Sequence, residues 1–405
     1  MARSVGAPVT SPARVALFTG VFMVLSLLIA LAAGEIFVRA GGRTDADGTF
    51  FFRDRPIPPF ALPVKHARAL IDEYLRDPTG YMLYDPDLGW TNRPGACTPD
   101  RLYCANWAGL RADREYAKSP PDGTLRVSLF GDSFVFGHNV ELPGSLAPQL
   151  ETALSRRGVR AEALNFGVGG YGMDQAYLRY TREGTKFESD VIVEGLQLEN
   201  VARHLMVFRI IAYPQSKIPF SKPRYYMEGP SLLAVNRPTV APDLVPHTLA
   251  TFHRSLLRRY DVFYTDKYVP RWYRYSRLIA VLEDARARGH DEVVDLMSPQ
   301  SEGMRVTTAI LERFRSDVAV TRKPFLLVYL PLPGNLQAQL DGGKDPWEPI
   351  VTSLRSSFTI VDPTPRLLDI ARRKGVGAVA PGHYSAEGNG AVAETIAEAI
   401  VELRR

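Results

Sequence analysis

From residue 123 onward, short unbroken apolar runs trade places with stretches whose apolar positions recur at helical spacing. LRVSLFG (125–131) reads as a strand and SLAPQLETALSRRG as the helix after it. AEALNFG is a second strand, MDQAYLRYTREG a helix, and DVIVEGLQL a third strand. After Asn200 the alternation stops, and residues 212–299 are rich in Tyr, Arg and Pro, an insertion between sheet units. It resumes with VTTAILERFRSDVA (helix), PFLLVYLPLP (strand), WEPIVTSLRSS (helix), FTIVD (strand), TPRLLDIARRKG (helix) and a terminal helix from about Ser385. Strands alternating with helices predict a parallel sheet covered on both faces.

The N-terminal part follows a different pattern. VALFTGVFMVLSLLIALAAG, Val15 to Gly34, carries no charge and has the length of a membrane-crossing helix. Arg3 and Arg14 precede it without any acidic residue, which puts residues 1–14 in the cytoplasm and the bulk of the chain on the extracytoplasmic, periplasmic side. Ala30-Leu31-Ala32 resembles a signal-peptidase site, but the run exceeds a signal-peptide core, which favours an uncleaved anchor over residues 15–36. Residues 41–122 are turn-rich and predict an irregular lead-in. Cys97 and Cys104, the two cysteines, either close a small disulfide loop or remain free thiols.

Composition narrows the function classes. The net charge of +5 (49 basic minus 44 acidic side chains) is slight for 405 residues, and without a Lys/Arg-rich block it argues against nucleic-acid binding. His66, His138, His204, His247, His253 and His290 are scattered without metal-ligand spacing, although His138 is close enough in sequence to Ser133 to line a pocket there. The aromatic and basic insertion reads either as a packed, solvated lid or as a surface for glycans or lipid headgroups.

The chemistry-bearing residues sit at predicted strand ends. RVSLFGDSFVFGHNV places Ser133 where a strand turns toward a helix, at the crevice in which α/β proteins bind ligands. Asp132-Ser133 could instead merely cap that helix. LNFGVGGYGMDQ ends the next strand in a glycine turn whose N–H groups can approach a substrate, and its glycines do not form a dinucleotide or P-loop motif. VIVEGLQLENVARH ends the third strand at Asn200, and APGHYSAEGN places His383 in a loop before the last helix.

This ordered set resembles the SGNH hydrolases, or GDSL esterases and lipases, over 123–211 and 300–405, and the anchor and GLRADREY lead-in are similar to a membrane-anchored bacterial envelope branch. The resemblance implies a three-layer, flavodoxin-like α/β sandwich. It implies Ser133 as nucleophile, the N–H groups of Ser133 and Gly170 with the Asn200 side chain as oxyanion donors, and His383 as base. It also implies ester chemistry on small esters or acylated glycans or lipids at the cell envelope, without metal or organic cofactor. The alternatives are an O-acyltransferase, or a non-catalytic glycan-binding or assembly protein on the same fold.

Two departures bear on this. The third block usually reads Asn-Asp, whereas Val201 follows Asn200. The acid expected shortly before the histidine is replaced by Ala380-Pro381. A backbone carbonyl against Nδ1, or a remote carboxylate from Asp362, Asp174 or, less favourably, Glu387, is the expected substitute.

Overall fold

A computed structural model describes residues 11–287 and 296–405. Arg3, His290 and most of the expected cytoplasmic tail lie outside the described residues. The described chain forms two compact units: residues up to Leu62 with those from Asp266 to 287, and Pro63–Thr265 with residues 296–405.

The larger unit is built on five strands: β1 (Leu125–Phe130), β2 (Ala161–Asn165), β3 (Val191–Leu196), β4 (Phe325–Tyr329) and β5 (Ile360–Val361). They pair in the order β5-β4-β3-β1-β2 and every pairing is parallel. This is the flavodoxin-like order, and the expected three-layer sandwich is observed. Alternate residues serve opposite faces, as the pleat requires. Val127, Leu129, Val193, Leu326 and Val328 face a cluster formed with Leu150, Leu154, Leu367, Ile396 and Ile400. Leu327 and Tyr329 face Met304, Leu311, Val351 and Leu354 on the other side. Each such fully buried side chain contributes about 1.5–3 kcal/mol by leaving water.

The helices do not share one mode of termination. Ala386–Leu403 starts at Ser385, whose Oγ accepts the Gly388 N–H at 3.1 Å, so a side-chain cap fixes the point where the His383 loop ends. Tyr384 is buried and donates its hydroxyl to Pro331 O at 2.8 Å, tying the same loop to the end of β4.

The lead-in, irregular in its sequence pattern, contains a helix at Val64–Arg76 and an antiparallel pair, Met82–Asp85 with Gly89–Asn92. Cys97 and Cys104 are disulfide-bonded. Within 212–299 the larger unit holds the hairpin Arg224–Glu228/Ser231–Val235.

The smaller unit contains the helix Pro12–Ala40, long and apolar enough to cross a membrane, whose apolar run is unburied. Its last turns join a three-strand antiparallel meander (Gly42–Thr44, Phe50–Phe52, Arg55–Ile57) and the helix Arg277–Ala287. Val38, Phe50, Ile57 and Ala280 form their common core.

Candidate active site

The crevice at the carboxyl ends of β1 and β3 is where the strand order reverses, and the turn after β1 carries Ser133. Gly131 makes this turn at φ +151°, and a Cβ there would come within 2.5 Å of Val135 Cγ2. Asp132 caps the helix Ser133–Phe136, its Oδ1 accepting the Phe134 N–H at 2.9 Å. Ser133 is therefore the first helical residue, where the N–H has no intrahelical acceptor. Among the described residues that N–H has no acceptor elsewhere either.

His383 reaches the same point from the opposite end of the chain. Its Nε2 is 2.8 Å from Ser133 Oγ, so the structure brings together the two residues that the sequence reading paired. Its ring lies 4.9 Å from Phe134 and 4.8 Å from His138. Burial moves the His383 pKa below the usual imidazole value, which outweighs the opposing effect of Asp132. The imidazole is thus neutral at pH 7, as a proton acceptor must be.

The group that touches Nδ1 is none of those expected. It is Asn139 Oδ1, at 3.1 Å. An amide oxygen only accepts, so the proton rests on Nδ1 and Nε2 presents its lone pair to the serine hydroxyl. The three carboxylates are engaged elsewhere. Asp362 accepts from Arg355 and the Thr364 N–H, and Glu387 pairs with Lys374. Asp174 is buried against the ammonium of Lys222. Asn139 adopts φ +68°, a left-handed conformation that asparagine tolerates better than most residues. Its own N–H donates to the Tyr103 hydroxyl at 2.9 Å.

Arg111, from the GLRADREY segment, is fully buried beneath this loop. Its guanidinium donates to Phe136 O at 2.7 Å, to Gly137 O and to Val140 O. These are the carbonyls that end the Ser133 helix and flank Asn139. Burial lowers its pKa to about 10, still leaving it charged. Nothing in the spacing of the sequence points to Arg111 or Asn139. The one available signal for Asn139 is its place in GHNV, next to a glycine turn.

Gly170 lies in the turn after β2 at φ +83°, and its N–H has no acceptor among the described residues. Trp90 Nε1 donates to Gly169 O at 2.9 Å and Tyr171 donates to Trp90 O at 2.6 Å, so the lead-in holds this turn too. Asn200 begins a short helix after β3 and is buried. Its Nδ2 lies 3.3 Å from Asp132 Oδ2, within one residue of Ser133. The same carboxylate oxygen accepts from Arg203 at 3.1 Å, and Arg203 also donates to Tyr171 O at 2.7 Å. Arg203 and Asp132 thus join the turns after β1, β2 and β3 through one buried ion pair. The helix-capping reading of Asp132 is correct and coexists with the Ser133–His383 contact.

Two more buried groups lie behind these turns. His204 donates or accepts at Nδ1 with Thr307 Oγ1 at 2.7 Å, and burial drops its pKa to about 4. Glu194 in β3 is buried, its pKa raised by desolvation and by the proximity of Asp132 and Asp174.

His138 lines a cavity of about 120 Å³ with Tyr81, Trp90, Tyr103, Phe136 and Val168. It stacks on Tyr103 at 5.4 Å, and burial lowers its pKa as well. The cavity opens beside both the His383 ring and the glycine turn, through His138 and Gly169.

No family model matches the chain, and no curated protein matches it. Among solved structures it is similar to a protein described as a lipolytic member of the G-D-S-L family from Desulfitobacterium hafniense, with 12% identity, a TM-score of 0.32, and coverage of 67% of this chain and 98% of that one. An acetylxylan esterase from Geobacillus stearothermophilus matches with 12% identity and a TM-score of 0.36 over 68% of this chain and 94% of that one. A lipase from a goat rumen metagenome matches with 12% identity and a TM-score of 0.31, over 68% and 97%. Overlaps this slight transfer no activity to the present chain.

Proposed function

We propose that this chain is a serine esterase of the SGNH type that cleaves small O-acyl esters through an acyl-enzyme. The observation that carries the proposal is the hydrogen-bonded series Ser133 Oγ, His383 Nε2, His383 Nδ1, Asn139 Oδ1, with spacings of 2.8 and 3.1 Å. Ser133 Oγ attacks the acyl carbonyl while His383 Nε2 takes its proton. The resulting imidazolium keeps its Nδ1–H on Asn139. The tetrahedral oxyanion is received by the N–H groups of Ser133 and Gly170 and by the Asn200 amide, whose Nδ2 has a second proton beyond the one directed at Asp132. Collapse expels the alcohol, which leaves with the proton from His383. Water, activated by the same nitrogen, then releases the carboxylic acid and restores Ser133.

A Ser-His pair oriented by an asparagine has a counterpart in the Cys-His-Asn arrangement of papain-like proteases. The non-catalytic alternative draws its support from the missing acid; Asn139 supplies an acceptor that orients Nδ1 but not the acid's charge. The cavity beside His138, about 120 Å³, is smaller than the roughly 150 Å³ cavity that holds one benzene, which favours short acyl groups over lipid chains. The apolar helix favours a membrane-tethered enzyme with its catalytic unit on the extracytoplasmic side.

The test is turnover of a short-chain nitrophenyl ester by the full chain and by Ser133→Ala, with fluorophosphonate labelling mapped by mass spectrometry. Loss of turnover together with an adduct on Ser133 supports the reading. Equal rates from both proteins would sink it.

A further inference from the structure

The smaller unit presents an apolar stripe that its own core does not use. Leu278, Ala280 and Val281 of the helix Arg277–Ala287 pack toward Val38, Phe50 and Ile57. Tyr275 ends the short 3-10 turn Trp272–Tyr275 that precedes this helix, and Ile279 and Leu282, spaced i and i+3 within the helix, share one face. Tyr275, Ile279 and Leu282 are 72%, 42% and 58% exposed, and Trp272 is 82% exposed. Arg271 beside Trp272 and Arg286 farther along the helix are exposed as well.

The position of this stripe is fixed by the end of the apolar helix. Glu35, the first charged residue after the apolar run, caps the neighbouring helix: its carboxylate accepts the Arg277 N–H at 3.0 Å, the Leu278 N–H at 2.9 Å and the Ser276 hydroxyl at 2.8 Å. Arg39 donates to Tyr275 O at 2.9 Å. Leu278 covers the bare backbone of Gly34, where an added Cβ would meet its Cδ2 at 2.9 Å. The Tyr275 backbone is therefore held at Arg39, a short way beyond the residue at which the apolar run ends, with Trp272 in the same short turn. In a spanning helix that is the depth of the lipid headgroups, the region tryptophan and tyrosine favour with arginine beside them.

We propose that Trp272, Tyr275, Ile279 and Leu282 form a second, shallow membrane contact, inserted into the headgroup region of the leaflet from which the helix Pro12–Ala40 emerges. The occupant of the stripe is the bilayer itself. The contact continues the exposed apolar surface of that helix, and the exposed Arg286 complements anionic headgroups, whereas Arg271 is paired with Glu283 at 3.8 Å. The inference rests on reading Pro12–Ala40 as a membrane span. It adds a lateral foothold, so that the helix and the stripe together fix the orientation of the unit instead of leaving it on a single pivot.

The experiment uses the full chain in vesicles of phosphatidylcholine and phosphatidylglycerol, with bromines placed either near the headgroup end of the acyl chains or near their terminal methyls. Tryptophan emission is compared between the natural chain and Trp272→Phe, which preserves an aromatic ring. Expected is quenching by the shallow bromines in the natural chain, weaker quenching by the deep ones, and loss of the shallow component in the variant. Trp107, 76% exposed and in the larger unit, remains in both proteins. Absence of shallow quenching, or its persistence in Trp272→Phe, overturns the proposal. Shielding of Trp272 that follows protein density in the vesicle and not bromine depth overturns it in favour of a second copy of the chain. An alkaline wash separates the two levels: release from the vesicles rejects the spanning helix, whereas retention without quenching rejects the foothold alone.

Discussion

His383 Nδ1 lies 3.1 Å from Asn139 Oδ1, and Asn139 belongs to the loop that leaves the helix of Ser133. Ser133 and the group that touches Nδ1 of His383 are thus carried by one short stretch of chain. His383 alone comes from the C-terminal end. A side-chain amide supplies orientation without charge. It fixes the tautomer, as an aspartate would, but stabilises the imidazolium less.

Asn139→Gly should separate these contributions cleanly, because glycine accepts φ +68° without strain and removes only the acceptor. A lost neutral hydrogen bond of about 0.5–1.5 kcal/mol lowers kcat about 2- to 12-fold. Asn139→Ala should fall further and also lose about 1 kcal/mol of stability to the left-handed backbone. Asn139→Asp, which restores a carboxylate, should equal or exceed the natural chain in kcat. Kinetics with a short-chain nitrophenyl ester, beside thermal unfolding of each variant, check this, and an inactive but folded Asp variant would argue against the orienting role.

The pH profile follows from the same contact. Burial holds the His383 pKa below its ordinary value of 6.5, so the neutral, proton-accepting form persists to lower pH than in a solvated imidazole. kcat/KM should therefore lose activity only on an acid limb lying below pH 6.5. A carboxylate at position 139 favours the imidazolium and raises that pKa, so Asn139→Asp should move the limb to higher pH. A limb that stays in place in this variant would separate residue 139 from the titrating group.

Much of this architecture was legible in the sequence, and the part that was not has a physical reason. The five sheet strands and the helices between them follow from periodicity, because a doubly covered sheet needs unbroken apolar strands and amphipathic helices. Ser133 and His383 were legible through their places at a strand end and before a capped helix. Asn139 was not, since its role depends on a left-handed loop that turns its amide toward a residue far away in the chain. Arg111 was equally hidden. It lies in a turn-rich segment without periodicity, and only the fold shows that its guanidinium closes three backbone carbonyls under the loop that follows Ser133. The expected remote carboxylates failed for one shared reason: Asp174, Asp362 and Glu387 each have a nearer cation.

Arg111→Lys should show how far the lead-in supports catalysis. A lysine ammonium is a point charge and cannot satisfy three separated carbonyls in the plane of a fork. Loss of about two charged hydrogen bonds in a buried setting predicts roughly 3 kcal/mol of destabilisation. It also predicts a kcat loss, because the displaced loop carries Asn139, together with a rise in KM for acyl groups held in the cavity, because the same loop carries Phe136 and His138. Denaturant unfolding with kinetics at a temperature where both proteins are folded checks the pair of effects. An unchanged kcat in a destabilised protein would confine Arg111 to stability.

The cavity beside His138 makes a prediction about acyl length. Met82 lines it from the edge of the lead-in hairpin and takes no part in the hydrogen-bonded series at Ser133. Met82→Ala enlarges the space without touching the nucleophile, the base or the oxyanion donors. If the acyl group occupies this cavity, kcat/KM of the natural chain should peak at acetyl to butyryl esters and fall for octanoyl. The variant should shift the optimum toward longer chains, each added methylene gaining about 0.8 kcal/mol, or about 4-fold, until the new space is full. Trp90 is the poorer choice for this purpose, because its indole N–H holds Gly169 O and its loss would disturb the Gly170 turn. A chain-length series on both proteins, with Ser133→Ala as the blank, separates the outcomes. Serine-dependent turnover with an optimum that Met82→Ala leaves unmoved would place the acyl group outside this cavity while leaving the esterase reading intact.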